Sequence, residues 1–284
     1  MSIVLPCPTA SDPSRENRRT GKWTTRYRIT ALNIFEQPLN ERIRACLRLD
    51  YLFGRIDHHL EDETAEGPLC AVLLLIEATD VVGRIDVKRE LIKELERQQA
   101  KLLQLANTPD IDAEKLTSLL DRQAQLLDQL HRFLGQPGAH LKQHELLNAV
   151  RQRASIPGAL CEFDLPAFHH WLALPHSERC ADLKEWMEPL ATIRAANELV
   201  IDLIRTSVTP TDCLAEDGFF QQNIDSGLPY QLARVLLPDE ANVYPEISAG
   251  KHRVIVRFMK LDRLSGHPAQ VNHDVPFQIA ICQI

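Results

Sequence analysis

Residues 150–172 read VRQRASIPGALCEFDLPAFHHWL, and the way this stretch is parsed decides how the chain divides. It leaves a charged helix end at Arg151 and Arg153, turns through Ser-Ile-Pro-Gly, and enters a short apolar run, Leu160 to Leu165, with strand character. It exits through Pro166 into a helix bearing His169 and Trp171. Pro157-Gly158 is a strong turn signal, and proline in a helix's first turn removes no hydrogen bond that would otherwise form. A strand between helices predicts that a helical part and a β part are joined here. Two arginines, a histidine and a tryptophan so close together also make a place to hold a peptide.

N-terminal to this stretch the pattern is helical. FEQPLNERIRACLRLDYLF (35–53) sets Pro38 at a helix start and Leu39, Ile43, Leu47 and Tyr51 at helical spacing. Arg44 and Arg48, four apart, project from one side of that helix, either as a solvated face or as a binding face. Residues 67–82 are apolar with few charges, as in a buried helix. Asp86 precedes a helix with Leu91, Leu95, Gln98 and Leu102 on one stripe. Asp112 caps another whose apolar face holds Leu116, Leu119, Leu120, Gln123, Leu126, Leu127, Leu130 and Phe133. The short connection between these two predicts an antiparallel pair, whose stripes serve as core or as a dimer seam. Helices follow over 141–153, from Ser177 to Trp186, and after Pro189.

Beyond Pro210 the texture changes to strands separated by Gly, Pro, Asp and Asn: GFFQQN, LPYQLARVLL, VYPEIS, HRVIVRFMKL and PFQIAICQI. Alternation in HRVIVRFMKL puts Arg253, Ile255, Arg257 and Met259 on one face and Val254, Val256 and Phe258 on the other. Arg253 and Arg257 then stand roughly 13 Å apart on the same side. The predicted class is α+β: a helical domain over 35–209 that lends strand 160–165 to an antiparallel β domain over 210–284, a small sandwich or barrel. Residues 1–34 are expected to be a disordered leader.

The totals are those of an ordinary globular chain: 284 residues, 44% apolar and 25% charged. No run approaches the roughly 18 apolar residues of a membrane span, and the start lacks a secretory signal pattern. Seven cysteines without a C-x-x-C pair fit reduced thiols, and so a cytoplasmic protein. The first 30 residues carry six basic side chains against two acidic ones, in a chain of net charge −7. The remainder is acidic enough to argue against a nucleic-acid surface over most of the fold. A nucleic-acid-binding regulator using the basic leader stays open as the alternative.

Catalytic signatures are missing. There is no phosphate-cradling glycine loop, no dinucleotide fingerprint and no nucleophile elbow. His140 and His144 lack the glutamate a zinc-protease helix places after its first histidine, so no metal is expected. Cys161 with His169 reads better as a small buried residue near a histidine than as a nucleophile pair. No cofactor is expected either.

The blocks FEQPLNERIRACLRLDYLF, ELIKELERQ (90–98), VRQRASIPGALCEFDLPAFHHWL, DLIR (202–205), DGFFQQN (217–223) and YPEISAGKHRVIVRFM (244–259) run in order through the chain. Together they resemble the ZapD family of Z-ring-associated cell-division proteins. The resemblance implies a non-enzymatic homodimer, cytoplasmic and placed at the mid-cell division ring, with no membrane or nucleic-acid partner. It further implies binding to the C-terminal tail of FtsZ, bundling of FtsZ protofilaments and lowered GTPase turnover. By similarity the tail contacts are Arg44, Arg48, Arg151, Arg153, His169, Lys251, Arg253 and Arg257, in a groove between the helical and β parts. Arg151 and Arg153 have a second reading, bracing the junction through an acidic group such as Asp164, and His169 a second reading as core. Glu145 departs from relatives that carry a basic residue there.

Overall fold

A computed structural model describes residues 32–64, 66–84, 86–105, 112–262 and 265–284, which fall into two compact units, 40–203 and a β unit made of the residues on either side. Residues 1–31, most of the expected leader, lie outside the described residues.

The first unit is helical. α1 (Glu41–Leu60) starts where Asn40 accepts a hydrogen bond from the Ile43 amide at 2.9 Å, and it buries Ile43, Cys46, Leu49, Phe53 and Ile56. α2 (Glu66–Arg84) buries Ala71, Val72, Leu75, Ala78 and Val82. Thr79, also buried, returns its hydroxyl to the Leu75 carbonyl at 2.8 Å. α3 (Val87–Leu105) and α4 (Ala113–Arg132) pack together as the pattern predicts. Asp86 and Asp112 accept amide protons from Arg89 and Lys115. The α3 stripe of Leu91, Leu95, Gln98 and Leu102 is core throughout, while on α4 Leu116, Gln123, Leu126 and Leu130 are buried and Leu119, Leu120, Leu127 and the following Phe133 only half-buried. At roughly 1.5–3 kcal/mol for each fully buried large aliphatic side chain, these seams hold the unit together.

α5 (Glu145–Arg153), α6 (Pro166–Leu172), α7 (His176–Met187) and α8 (Ala191–Thr206) complete the described helices longer than one turn, the last residues of α8 counting with the β unit. α7 begins one residue before Ser177, its N-cap position taken by Pro175.

Leu160–Leu165 runs through successive turns and not a strand, which corrects the expectation that it joins the β domain. Gly158 sits at φ +76°, the amides of Asp164 and Leu165 both return to the Cys161 carbonyl, and Phe163 is 80% exposed. The stretch is held to the helical unit by aromatics instead. Phe168 stacks on Trp171 at 5.7 Å, Trp171 lies 5.3 Å from Trp186, and the Trp171 indole donates to Asp182 at 2.8 Å.

The β unit holds β1 (Leu32–Pro38), β2 (Thr211–Ala215), β3 (Phe219–Asn223), β4 (Tyr230–Pro238), β5 (Tyr244–Ala249), β6 (Arg253–Leu261), β7 (Pro268–Gln270) and β8 (Val275–Gln283). β1 is a second correction: residues 32–38 form a strand antiparallel to β4, and the helix begins only after Asn40. One sheet has the order β1-β4-β8-β2, the other β3-β6-β5 with β7 also on β6, every pairing antiparallel. Both sheets give their inner residues to one core, where Val235 and Ile279 of the first meet Val256 and Phe258 of the second. Phe258 and Phe277 pack edge-on at 5.0 Å. This is the sandwich form of the predicted class.

The turn joining β2 and β3 places Asp217 and Gly218 both at positive φ, the conformation a two-residue hairpin needs. A Cβ on Gly218 would meet Val271 at 2.6 Å, so only glycine fits. β1 is tied in by Glu36, which accepts from Arg205 at 2.7 and 2.9 Å and from Arg234 at 3.0 Å.

Candidate functional site

The predicted contact residues fall in both units. Arg44, Arg48, Arg151, Arg153 and His169 belong to the helical unit, and Lys251, Arg253 and Arg257 to the β unit.

In the β unit the alternation read from sequence is observed. Along β6, Val254, Val256 and Phe258 are fully buried while Arg253 and Arg257 are exposed on the opposite face. The apolar side anchors the strand, so the arginines emerge from a rigid base. Lys251 and His252 lie at the exposed tip of the β5–β6 hairpin, closed by the Gly250 amide donating to the Arg253 carbonyl at 2.9 Å. The ladder sets Asn223 opposite Arg253, and Phe219 of β3 and Glu246 of β5 on either side of Arg257. Among the described residues, Lys251, Arg253 and Arg257 enter no ion pair. Three cations without carboxylate partners on one strand and its hairpin make a surface ready for an anion.

In the helical unit α1 presents Arg44 and Arg48 from one side, as four-residue spacing requires. Arg44 is lightly engaged by Glu41 at 3.1 Å, an exposed pair of little strength. Arg48 is exposed and enters no ion pair among the described residues. Tyr51, three residues on, is 64% exposed and extends this face with an aromatic ring, which corrects its expected place on the apolar stripe of α1.

The two arginines of the 150–172 stretch part company. Arg151 donates through Nη1 to Asp80 of α2, with only a fifth of its side chain exposed. It braces the unit, and its partner is Asp80 and not Asp164. Arg153 is half-buried and enters no ion pair among the described residues, which leaves it available. His169 lies in the last turn of α6 and is exposed, so its reading as core is set aside. Asp164 accepts a long contact from the Cys161 thiol, 3.6 Å, and no hydrogen bond joins Cys161 to His169 among the described residues. His144 caps α5 through its ring nitrogen and packs edge-on to Trp186 at 5.1 Å, a structural use of that histidine.

The deepest charge in the helical unit has partners and no access. Glu94 is fully buried, takes a hydrogen bond from Arg42 at 2.7 Å and pairs with Arg97. Arg42 also holds Glu90 at 2.9 Å. The hydrogen bond from Lys93, with that from Arg42, holds the Glu90 carboxyl below its ordinary range against a smaller opposing effect of burial. No cluster of three metal-ligating side chains occurs among the described residues, and none of their helices is long and apolar enough to cross a membrane.

The family model described as ZapD, cell division protein, matches residues 47–257. A cell division protein ZapD of Cupriavidus pinatubonensis is 41% identical over 250 residues, 88% of this chain and 98% of that protein. Those of Aromatoleum aromaticum and Coxiella burnetii are 38% and 36% identical over 250 and 254 residues, again 88% of this chain and 97% of each relative.

Proposed function

The chain belongs to the ZapD family of cell division proteins, and on that footing we propose that it is a non-enzymatic adaptor of the division ring. It binds FtsZ by that protein's C-terminal tail, cross-links protofilaments as a homodimer, and lowers GTPase turnover by holding filaments in bundles. The observation that carries the reading is the outward face of β6, where Arg253 and Arg257 enter no ion pair among the described residues and stand on a strand anchored by Val254, Val256 and Phe258.

A flexible segment ending in a carboxylate needs cations in fixed positions, and guanidinium groups supply bidentate geometry that an ammonium does not. Arg253 and Arg257 provide this in the β unit, with Lys251 adding a point charge at the hairpin tip, and Arg44, Arg48, Arg153 and His169 are the further candidates in the helical unit. Arg151, committed to Asp80, acts through stability only. Ordering a loose tail costs entropy, so one tail binds at about micromolar strength, near −8 kcal/mol.

The test is a titration of the intact protein with the FtsZ tail peptide, repeated with Arg253→Glu and Arg44→Glu. Saturable binding by the parent and loss in both variants is expected. An affinity unchanged by either charge reversal would refute the assignment.

A further inference from the structure

Arg257 stands in the middle of a row three strands wide. Phe219 of β3 is its direct cross-strand partner on one side and Glu246 of β5 on the other, and all three side chains are exposed. Directly opposed residues hold their Cβ atoms about 4.5–5.5 Å apart, so the guanidinium has an aromatic ring on one flank and a carboxylate on the other.

Phe219 keeps 39% of its surface in water, while its chain neighbour Phe220 points inward and packs on Phe277 at 5.1 Å. β3 thus spends one phenylalanine on the core and leaves the next outside. Ile255 and Met259, half-buried on the same face of β6, continue the apolar surface on either side of Arg257. Glu246 lies within reach of Arg257 in the ladder, yet the two form no ion pair. Its charge lies beside the guanidinium without neutralising it by contact.

We infer that Phe219, Arg257 and Glu246 form the row that sets specificity in the FtsZ-tail site, an inference that rests on the function proposed above. The row takes a peptide carboxylate on Arg257 with an apolar side chain of the same peptide laid on Phe219. Glu246 repels the incoming carboxylate and holds the affinity down. Charge complementarity selects an acidic peptide, and the ring beside the cation selects an acidic group with an apolar neighbour over a purely acidic segment. A rigid aromatic next to an arginine is the composition of an interface hot spot. The carboxylate on the other flank makes the contact weaker than the arginine alone would give, which suits a cross-linker that must release.

The experiment titrates the intact protein, at low salt, with the labelled FtsZ tail peptide and with a peptide of equal length whose apolar residues are replaced by serine. Phe219→Ala is expected to weaken binding of the native peptide by about five- to tenfold, and Phe219→Leu to retain most of it. Glu246→Gln is expected to tighten binding by about threefold, with the gain shrinking as salt rises. The serine-substituted peptide should bind weakly and should not distinguish Phe219→Ala from the parent. Equal affinity of the parent and Phe219→Ala, in a protein that loses binding on Arg257→Glu, overturns the row and leaves the arginines acting alone. Unchanged or weaker binding by Glu246→Gln overturns the role of that carboxylate. Failure of the unaltered protein to bind the native peptide overturns the parent reading and this inference with it.

Discussion

Arg151 of α5 is paired with Asp80 of α2, and that pairing separates it from Arg257 of β6, which faces outward and enters no ion pair among the described residues. Two arginines that look alike in sequence therefore do different work. Arg151→Ala removes one side of a pair that is largely out of water and should cost about 1–3 kcal/mol of stability. It should leave tail affinity within about twofold, since no contact to the ligand is lost. Arg257→Gln should do the reverse, shifting stability by less than about 0.5 kcal/mol, as exposed substitutions do, while abolishing most tail binding. Denaturant unfolding and peptide titration on the same two variants decide it. A variant moving both readouts equally would contradict the division.

The attraction between exposed guanidinium groups and a peptide carboxylate is screened by salt, with a Debye length falling from about 30 Å at 0.01 M to about 8 Å at 0.15 M. Tail affinity should therefore drop steadily over that range, and the drop should flatten in Arg253→Glu. A salt-independent affinity would move the interaction onto apolar contacts.

Gln123 of α4 is fully buried, and among the described residues neither its Oε1 nor its Nε2 has a hydrogen-bond partner. Burying an unsatisfied amide costs about 1–3 kcal/mol, so Gln123→Leu should stabilise the helical unit by about 1–2 kcal/mol and raise the melting temperature. A loss of stability would mean that the amide is satisfied by an ordered water and fixes the register of α3 on α4.

Burial, helped by the nearby Glu94 carboxylate, pushes the Cys46 thiol from its ordinary 9.0 up to about 12, and burial raises Cys282 to about 11. The unfolded chain then loses these protons first. Their contribution to stability is complete below pH 9.0 and declines as pH rises toward the folded values. Both thiols should resist a disulfide reagent near neutral pH until the chain unfolds, and Cys46→Ala should flatten the alkaline loss of stability. Rapid labelling of Cys46 in the native protein would show the site to be open.

What could be read in advance follows from how local the causes are. The faces of β6 were legible because alternation in HRVIVRFMKL is written in consecutive residues, and the starts of α3 and α4 because Asp86 and Asp112 act on amides three residues away. The partner of Arg151 was not legible, because Asp80 lies 71 residues distant and is brought in only by packing of α5 on α2. Leu160–Leu165 misled because apolar content there resembles a strand, yet a strand exists only where another pairs with it. Here the Cys161 carbonyl closes turns instead. β1 was missed for the converse reason: Pro38 and Glu36 look unlike a strand, but Pro38 ends the ladder and Glu36 is held by Arg205 and Arg234 from later in the chain. Phe219 was visible only as part of a strand, since its position beside Arg257 depends on the β3–β6 register.

Bundling of FtsZ should depend on valency more than on the strength of one contact. A single tail held at about micromolar affinity exchanges quickly, but a two-fold dimer offers two sites and a filament many tails, so the second contact forms at roughly millimolar effective concentration. Free tail peptide should then inhibit bundling only when added well above its own dissociation constant, because it must displace contacts that rebind within the same assembly. Sedimentation of FtsZ polymers with this protein, against increasing peptide, measures that offset directly. The offset should vanish for FtsZ lacking its tail, which should not pellet with the protein at all. Inhibition at a concentration equal to the single-site dissociation constant would mean that each protein grips one tail only, and the cross-linking role would have to be given up.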